Sequence, residues 1–528
     1  MRYNNGFWRV ILFGALPILF TCFIVANNAL AAISPEVEWE NTMGGKQADR
    51  GFSALQTPDG GYIVVGETYS SSARRHGAGG YDAYLVKLDA AGQKRGKHTY
   101  GGSKNDSGAF VARTTDGGLI ITGTTQSYSE DRDKQVFLVK TNDRGEKQWR
   151  RALGGAGEDT GACVDQTADG GYIVVGETNS FGAGDYDVYL IKTDASGKVE
   201  WEKTFGGKED DHGTWVRQTG DKGYILAGKT ASFGVRGYDA YLVKIGPNGD
   251  TRWETTVGGE GWDIPEVVEQ TSDGGYIVVG KTSSFQSGNF DIHLIKIDSS
   301  GNIQWENAIG GKGWDIGKTV RQTVDGGYVV AGFSNSSDAG EFEFYLAGTD
   351  AGGKKLWEKT LEEGEYDERF SVRCTEDGGY IIAGWWEDHL KSWQRRKEDV
   401  QVYVVRIKAE LPPANKKLQA GPILLDVPVI MKNGHILAPV GSIAQPLGIK
   451  AHWDRDTRII TLTAGEREVK LKTGAHTALV NGEPVEINEP VFTDKGYIYV
   501  PLEFVAEFLG AAMTWNEVTN TVSIDTAP

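Results

Sequence analysis

Along most of the chain, short apolar runs alternate with polar clusters rich in glycine and aspartate. One run, "DGGYIVVGET", stands at Asp59–Thr68 and returns letter for letter at Asp169–Thr178. Relaxed copies begin at Asp116, Asp221, Asp273, Asp325 and Asp377, so the leading aspartates step by 57, 53, 52, 52, 52 and 52 residues. One unit contains four β-rich runs of seven or eight residues: Gly213–Thr219, Gly223–Thr230, Tyr238–Ile245 and Asp250–Val257. The second is apolar nearly throughout, as a strand covered on both faces should be. The third alternates more, with Tyr241 and Val243 set against Leu242 and Lys244. Between the runs lie turn signals: "GDKG", a "D-x-x-G" after the third run, and a Gly-rich loop before a Tyr-Asp pair. Helical periodicity is absent.

Four short strands in each unit of about 50 residues, repeated in tandem, predict an all-β seven-bladed propeller. A parallel β-helix has much shorter coils. The two ends of the array predict how the ring closes. The seventh unit runs from its third strand, Gln401–Lys408, into "AELPPANKK" without a fourth strand, while Val37–Thr42 is a fourth strand with no unit before it. The N-terminal strand therefore completes the last blade and removes two exposed sheet edges. The fourth strands carry Trp39, Trp149, Trp201, Trp253, Trp305 and Trp357, with Gly96 breaking the series. Such regularity reads as indoles wedged between neighbouring blades rather than as sugar-stacking faces.

The "D-x-x-G-x-x-x-W" segment resembles the tryptophan-docking repeat of pyrroloquinoline-quinone-type propellers. The whole unit resembles the "DGGYIIAG" repeats of secreted bacterial and archaeal propeller proteins of unassigned activity, from Trp39 to Lys408. That resemblance implies a fold and an exported location, not a reaction.

After the Pro-rich linker, residues 409–421, the pattern changes. "ILAPVGSIAQPLGIKAHWDRDTRIITL" (Ile436–Leu462) recurs as "IYVPLEFVAEFLGAAMTWNEVTNTVSI" (Ile498–Ile524), with Pro439, Gly448 and Trp453 mapping onto Pro501, Gly510 and Trp515 at an offset of 62. Each half predicts a strand, a short helix entered at Pro and stopped at Gly, and a β-hairpin around the Trp, so residues 422–528 form a small C-terminal α+β domain. This segment resembles the copper amine oxidase N-terminal-like domain, a noncatalytic module of exported proteins. Copper does not transfer with it: the eight histidines (76, 98, 212, 293, 389, 435, 452 and 476) contain no His-x-His pair. No cofactor is expected.

Arg2, Arg9, the apolar run Val10–Val25 and Ala29-Leu30-Ala31 predict a signal peptide, residues 1–31, cut after Ala31. The propeller then spans residues 37–408, no membrane span is expected after cleavage, and the protein is secreted or associated with the cell surface. The mature chain carries a net charge of −19 (53 basic against 72 acidic residues), which argues against nucleic acid as a partner. Cys163 and Cys374 face opposite ways on their strands and are read as two buried thiols, not a disulfide.

One acid stands four residues beyond each Gly-Gly or its equivalent: Asp49, Asp106, Asp159, Asp211, Asp263, Asp315 and Asp367. These should ring one mouth of the central channel. The expected role is to cap turns by accepting backbone N–H bonds, and no metal site is expected from them. No nucleophile motif, P-loop, zinc spacing or EF-hand loop occurs. The repeat is broken most in two loops between second and third strands: Ser70–Gly80 in the first unit and Trp385–Asp399 in the seventh. Closure makes these neighbours, and together they offer Arg74, Arg75, Trp385, Trp386, Trp393, Arg395 and Arg396 as a candidate ligand patch. The expected function is a noncatalytic extracellular binding or scaffold protein whose partner is a protein or polysaccharide. The alternative is a carbohydrate-active hydrolase or lyase at the channel mouth, marked by irregular acids clustered within the channel.

Overall fold

A computed structural model describes residues 35–408 except 46–47, 70–79, 130–132, 286–288, 324–325, 338–339, 362–365, 367–369, 376–377 and 388–399. Beyond them it describes 423–425, 430–432, 435–440, 443, 449–454, 457–464, 467–494, 497–509, 512–516 and 521–525. The expected signal peptide and linker lie outside these residues. The described part is nearly all β, and none of its helices is long and apolar enough to cross a membrane.

The strands of each unit pair in chain order as a four-stranded antiparallel sheet. Unit four is representative: Asp211–Gln218, Tyr224–Thr230, Asp239–Ile245 and Thr251–Val257. The inner strand of a unit packs on the second strand of the unit before it, Asp211–Gln218 on Tyr172–Thr178, for example. In the seventh unit, Val400–Lys408 pairs with Glu36–Met43, from Glu36 opposite Lys408 to Met43 opposite Val402. Asp49–Gln56 of the first unit packs on Tyr380–Glu387 of the seventh.

The second strands are apolar because sheets cover both of their faces, and Tyr224–Ala227 is fully buried. The third strands depart from the expected alternation, since every position of Asp239–Ile245 is buried, Lys244 included. The reason is length: Lys244 Nζ runs along the strand to the turn and meets Asp221 at 2.9 Å. Lys140, Lys192 and Lys296 reach Asp116, Asp169 and Asp273 in the same way, each at 2.9 Å. Burial opposes the charge on Asp169 and Asp273. Hydrogen bonds from Thr167 and Thr271, then from the lysines and a glycine N–H, outweigh it and bring both carboxyls down to about 2.

At the outer rim Trp39, Trp149, Trp201, Trp253 and Trp305 lie on the neighbouring unit, whereas Trp357 stands opposite Gly348 of its own unit, where a Cβ would come 2.0 Å from its ring. Trp253 meets the Tyr276 ring edge-on at 5.8 Å, and its Nε1 donates to Ser299 O at 3.1 Å. A Cβ on Gly301, whose φ is +89°, would stand 2.7 Å from the Trp253 ring, so the turn glycine supplies both the left-handed conformation and the room. Trp39, Trp149, Trp201 and Trp305 pack on Tyr62, Tyr172, Tyr224 and Tyr328 at 5.3 to 5.9 Å. Where Gly96 interrupts the series, His98 covers the turn glycine Gly145 instead, and Tyr100 Oη donates to Gly145 O at 2.6 Å.

Cys163 and Cys374 are free thiols. Cys163 is fully buried, and burial pushes its pKa up to about 11. Cys374 is only partly buried, a correction to the expectation: it ends its strand beside Thr319, at the border of the core shared by units six and seven.

In the C-terminal module, His435–Pro439 pairs antiparallel with Tyr497–Pro501, and Ala438 lies opposite Val500, its own counterpart at the offset of 62. The two halves thus meet about a local two-fold. The helix Leu502–Leu509 buries Leu502, Val505, Ala506 and Phe508. The unforeseen element is a hairpin of Thr477–Val480 with Glu483–Glu486, turned at Asn481-Gly482, both with positive φ.

Candidate functional site

The inner strands position the site, and each contains a β-bulge that leaves one residue unpaired: Phe52, Ala109, Ala162, Thr214, Glu266 and Lys318 in units one to six. A bulge turns its extra residue out of the ladder, here toward the channel. Lys318 accordingly reaches Glu266 of the neighbouring unit at 2.7 Å.

Below the bulges the channel is filled. Phe110 of unit two meets Trp215 of unit four edge-on at 5.3 Å. The Arg373 guanidinium of unit seven lies 4.0 Å from the Phe110 ring centroid and 5.1 Å from that of Trp215. Side chains from units this far apart meet only at the centre. Asp165 and Glu269 are the irregular acids here, and both face Arg217, at 3.2 and 3.8 Å. Burial, then the neighbouring Arg217, lowers Arg373 to about 10, which leaves it charged at neutral pH.

The recurrent aspartates stand above this plug, but they do not project into the lumen. Asp106, Asp159, Asp211, Asp263 and Asp315 are at most 1 % exposed. Each accepts from the N–H of the second glycine of the pair before it, at 2.8 to 3.0 Å. Each also accepts from a serine hydroxyl: Ser127, Ser180, Ser232, Ser284 or Ser336, at 2.5 to 2.8 Å. Asp49 is held likewise by Gly45 N–H. Asp367 lies outside the described residues.

Around the mouth on that face runs a belt of aromatic and charged side chains. His212 stacks on Tyr186 at 6.0 Å, lies 5.8 Å from Tyr238 and hydrogen-bonds Glu177. Lys229 Nζ stands 4.4 Å over Tyr238, whose ring meets Trp262 edge-on at 5.6 Å. Lys281 lies 4.8 Å over Phe290 and 5.7 Å over Trp314. Trp262 is 51 % exposed. On the other side of the mouth a cleft of about 480 Å³ opens beside Tyr81, Lys134 and Glu67, where the bulge residues are the small Ala109 and Ala162.

Of the ligand patch read from the sequence, Trp385 joins this belt: its ring meets Phe52 at 5.7 Å, and the Arg50 guanidinium lies 5.9 Å over it. Arg50 also pairs with Glu67 at 2.7 Å and lies 5.4 Å over Tyr81. Trp386 stands opposite Gln401 in the sheet. Arg74, Arg75, Trp393, Arg395 and Arg396 lie outside the described residues. The rest of the belt escaped the sequence reading. Its signal was an aromatic before each third-strand acid (Tyr81, Tyr186, Tyr238, Phe290) and the "GWD" of Trp262 and Trp314. Among the described residues, no three His, Cys, Asp or Glu side chains converge as a metal centre.

Known proteins bear on both modules. The chain is similar to the solved Neurospora crassa Pan2 WD40 domain (9 % identity, TM-score 0.42, 67 % of this chain and 88 % of that one). Puromycin hydrolase (12 %, 0.42, 75 % and 59 %) and a Bacteroides caccae protein of unknown function (11 %, 0.33, 54 % and 92 %) also align. At these identities the likeness concerns fold alone. The family model for outer membrane protein assembly factor BamB matches residues 214–377, and that for the copper amine oxidase N-terminal domain matches residues 417–524, so propeller-type repeats precede a copper amine oxidase N-terminal-like domain in this chain.

Proposed function

We propose that this protein is a noncatalytic binding scaffold, exported to the cell surface or beyond. Its seven blades close through the N-terminal strand and engage an extracellular protein or polysaccharide at the aromatic mouth. The observation that carries the reading is the belt itself, with Tyr238, Trp262, Phe290 and Trp314 interleaved with Lys229, Lys281 and His212 above a plugged channel. Flat apolar faces beside cations suit carboxylate-bearing ligands: the rings give stacking area, and the ammonium groups give charge-assisted hydrogen bonds. The similarity of residues 214–377 to a protein assembly factor supports a scaffold role. The hydrolytic alternative draws less support, because the irregular acids Asp165 and Glu269 face Arg217 beneath Phe110 and Trp215.

The test is retention of the purified chain on immobilised polysaccharides and on extracellular proteins of the producing cell. Trp262→Ala and Trp314→Ala should each weaken retention at least tenfold, and retention should fall as salt rises. Unchanged retention in both variants would place the site elsewhere.

A further inference from the structure

A side-chain amide and a carboxylate occupy equivalent places at different unit junctions. Between units two and three, Gln135 heads the third strand. Its Nε2 donates to the carbonyl oxygens of Lys134, Gly155 and Gly157 at 3.1, 3.0 and 3.1 Å, and lies 3.2 Å from Asp159 Oδ2. One positive pole thus holds four oxygens together. A step of 104 residues replaces these by Tyr238, Gly259, Gly261 and Asp263, and replaces Gln135 by Asp239. The donor becomes an acceptor while the surrounding acceptors stay.

The consequence is visible at Asp239. It is 1 % exposed and Asp263 is 0 % exposed. Asp239 Oδ2 accepts from Val235 N–H at 2.9 Å, but the buried Oδ1 has no hydrogen-bond partner. A Cβ on Gly258 would stand 2.0 Å from Asp239 Oδ1 and 2.6 Å from Asp263 Oδ2, so the two carboxylates face the same small space. Between units three and four, Asp187 and Asp211 repeat the arrangement, with Oδ1 and Oδ2 at 2.3 and 2.5 Å from the corresponding point on Gly206. Two buried carboxylates facing each other are costly, and His293 Nδ1 stands 3.7 Å from Asp263 Oδ1, the oxygen other than the one that faces Asp239. Burial first, and then the charge of Asp263 or Asp211, raises the pKa of Asp239 and Asp187.

We propose that the Asp187/Asp211 and Asp239/Asp263 junctions each bind a divalent calcium-class cation, which does between these blades what the Gln135 amide does between units two and three. The ligands are the two carboxylates and the carbonyl oxygens equivalent to those around Gln135 Nε2. An all-oxygen set of carboxylates and carbonyls suits Ca²⁺, whereas Mg²⁺ keeps several waters and Zn²⁺ favours nitrogen or sulfur. Spaced one unit apart, the recurrent aspartates do not share a cation among themselves. Their partners are instead the acids that head the preceding units' third strands.

The test is equilibrium dialysis of the chelator-treated full chain against Ca²⁺, with melting followed in parallel. Calcium should bind saturably and raise the melting temperature. Asp187→Gln and Asp239→Gln should each remove one bound ion. In chelator both variants should melt no lower than the parent, because the new amide supplies the missing positive pole. Asp239→Asn, which keeps the side-chain length, should also lose one ion. Equal calcium stoichiometry in parent and variants would overturn the proposal. So would a parent that binds none and melts higher at pH 5 than at pH 7, which would mean that each pair shares a proton.

Discussion

The outer rim and the mouth are built from the same strands, yet they differ in what repeats. At the rim the same indole meets the same tyrosine and turn glycine at five junctions, His98 covers the turn glycine where Gly96 interrupts the series, and Trp357 stands against Gly348 instead. At the mouth the side chains change from one unit to the next: Phe52, Ala109, Ala162, Thr214, Glu266 and Lys318 occupy the bulges, and Trp262 and Trp314 have no indole counterpart in units three and four. Positions that hold one unit to the next must satisfy one geometry everywhere. Positions that face the lumen satisfy only what enters it.

That contrast can be broken most forcefully at the closure strand. Removing residues 32–43 takes the fourth strand from the seventh sheet and the Trp39 contact from the first. The chain should lose cooperative melting, or melt far below the parent, by calorimetry. A single rim indole is the next test. Trp253→Ala should cost about 3–5 kcal/mol in denaturant melts, since it empties a packed site and removes the bond to Ser299 O. His98→Ala, at the irregular junction, should cost less, about 1–2 kcal/mol, because Tyr100 still holds Gly145 O.

Acid should sharpen the rim's side of the comparison. Asp169 and Asp273 have depressed carboxyl pKa values of about 2, so they contribute stability that is present above the unfolded value near 4 and lost as pH falls toward 2. In chelator, Asp187 and Asp239 act in the opposite sense: raised carboxyls add stability below the unfolded value, and it is lost as pH rises through their folded values. Melting temperature should therefore drop between about pH 4 and pH 2. Asp169→Asn should shrink that drop. The smallest stability effect belongs to the mouth. Trp262→Ala should change stability by no more than about 0.5 kcal/mol while ligand retention falls, because half of the indole already faces solvent.

How much was legible in the sequence varies by region. The Asn481-Gly482 hairpin is legible there as "VNGE", a two-residue turn signal between apolar residues. The burial of Lys244 was not, since a lysine on an apolar run reads as a solvent-facing position until the turn aspartate it reaches is placed. Arg74, Arg75, Arg395 and Arg396 stand where the repeat fails over whole loops, outside the described residues, whereas Trp262 and Trp314 stand where it fails at single residues.

By itself the sequence determined the strands, their order within each unit and the residues that seal unit to unit, because period, turn chemistry and alternation are local properties that every unit repeats. Tertiary structure alone decided what meets across units. Phe110 against Trp215, Arg373 over both and Trp385 against Phe52 join residues whose separations along the chain carry no pattern. Such contacts arise only when the sheets pack around a common centre, and that packing sets which charges are paired, which oxygens stay without a donor and which indoles remain open to solvent.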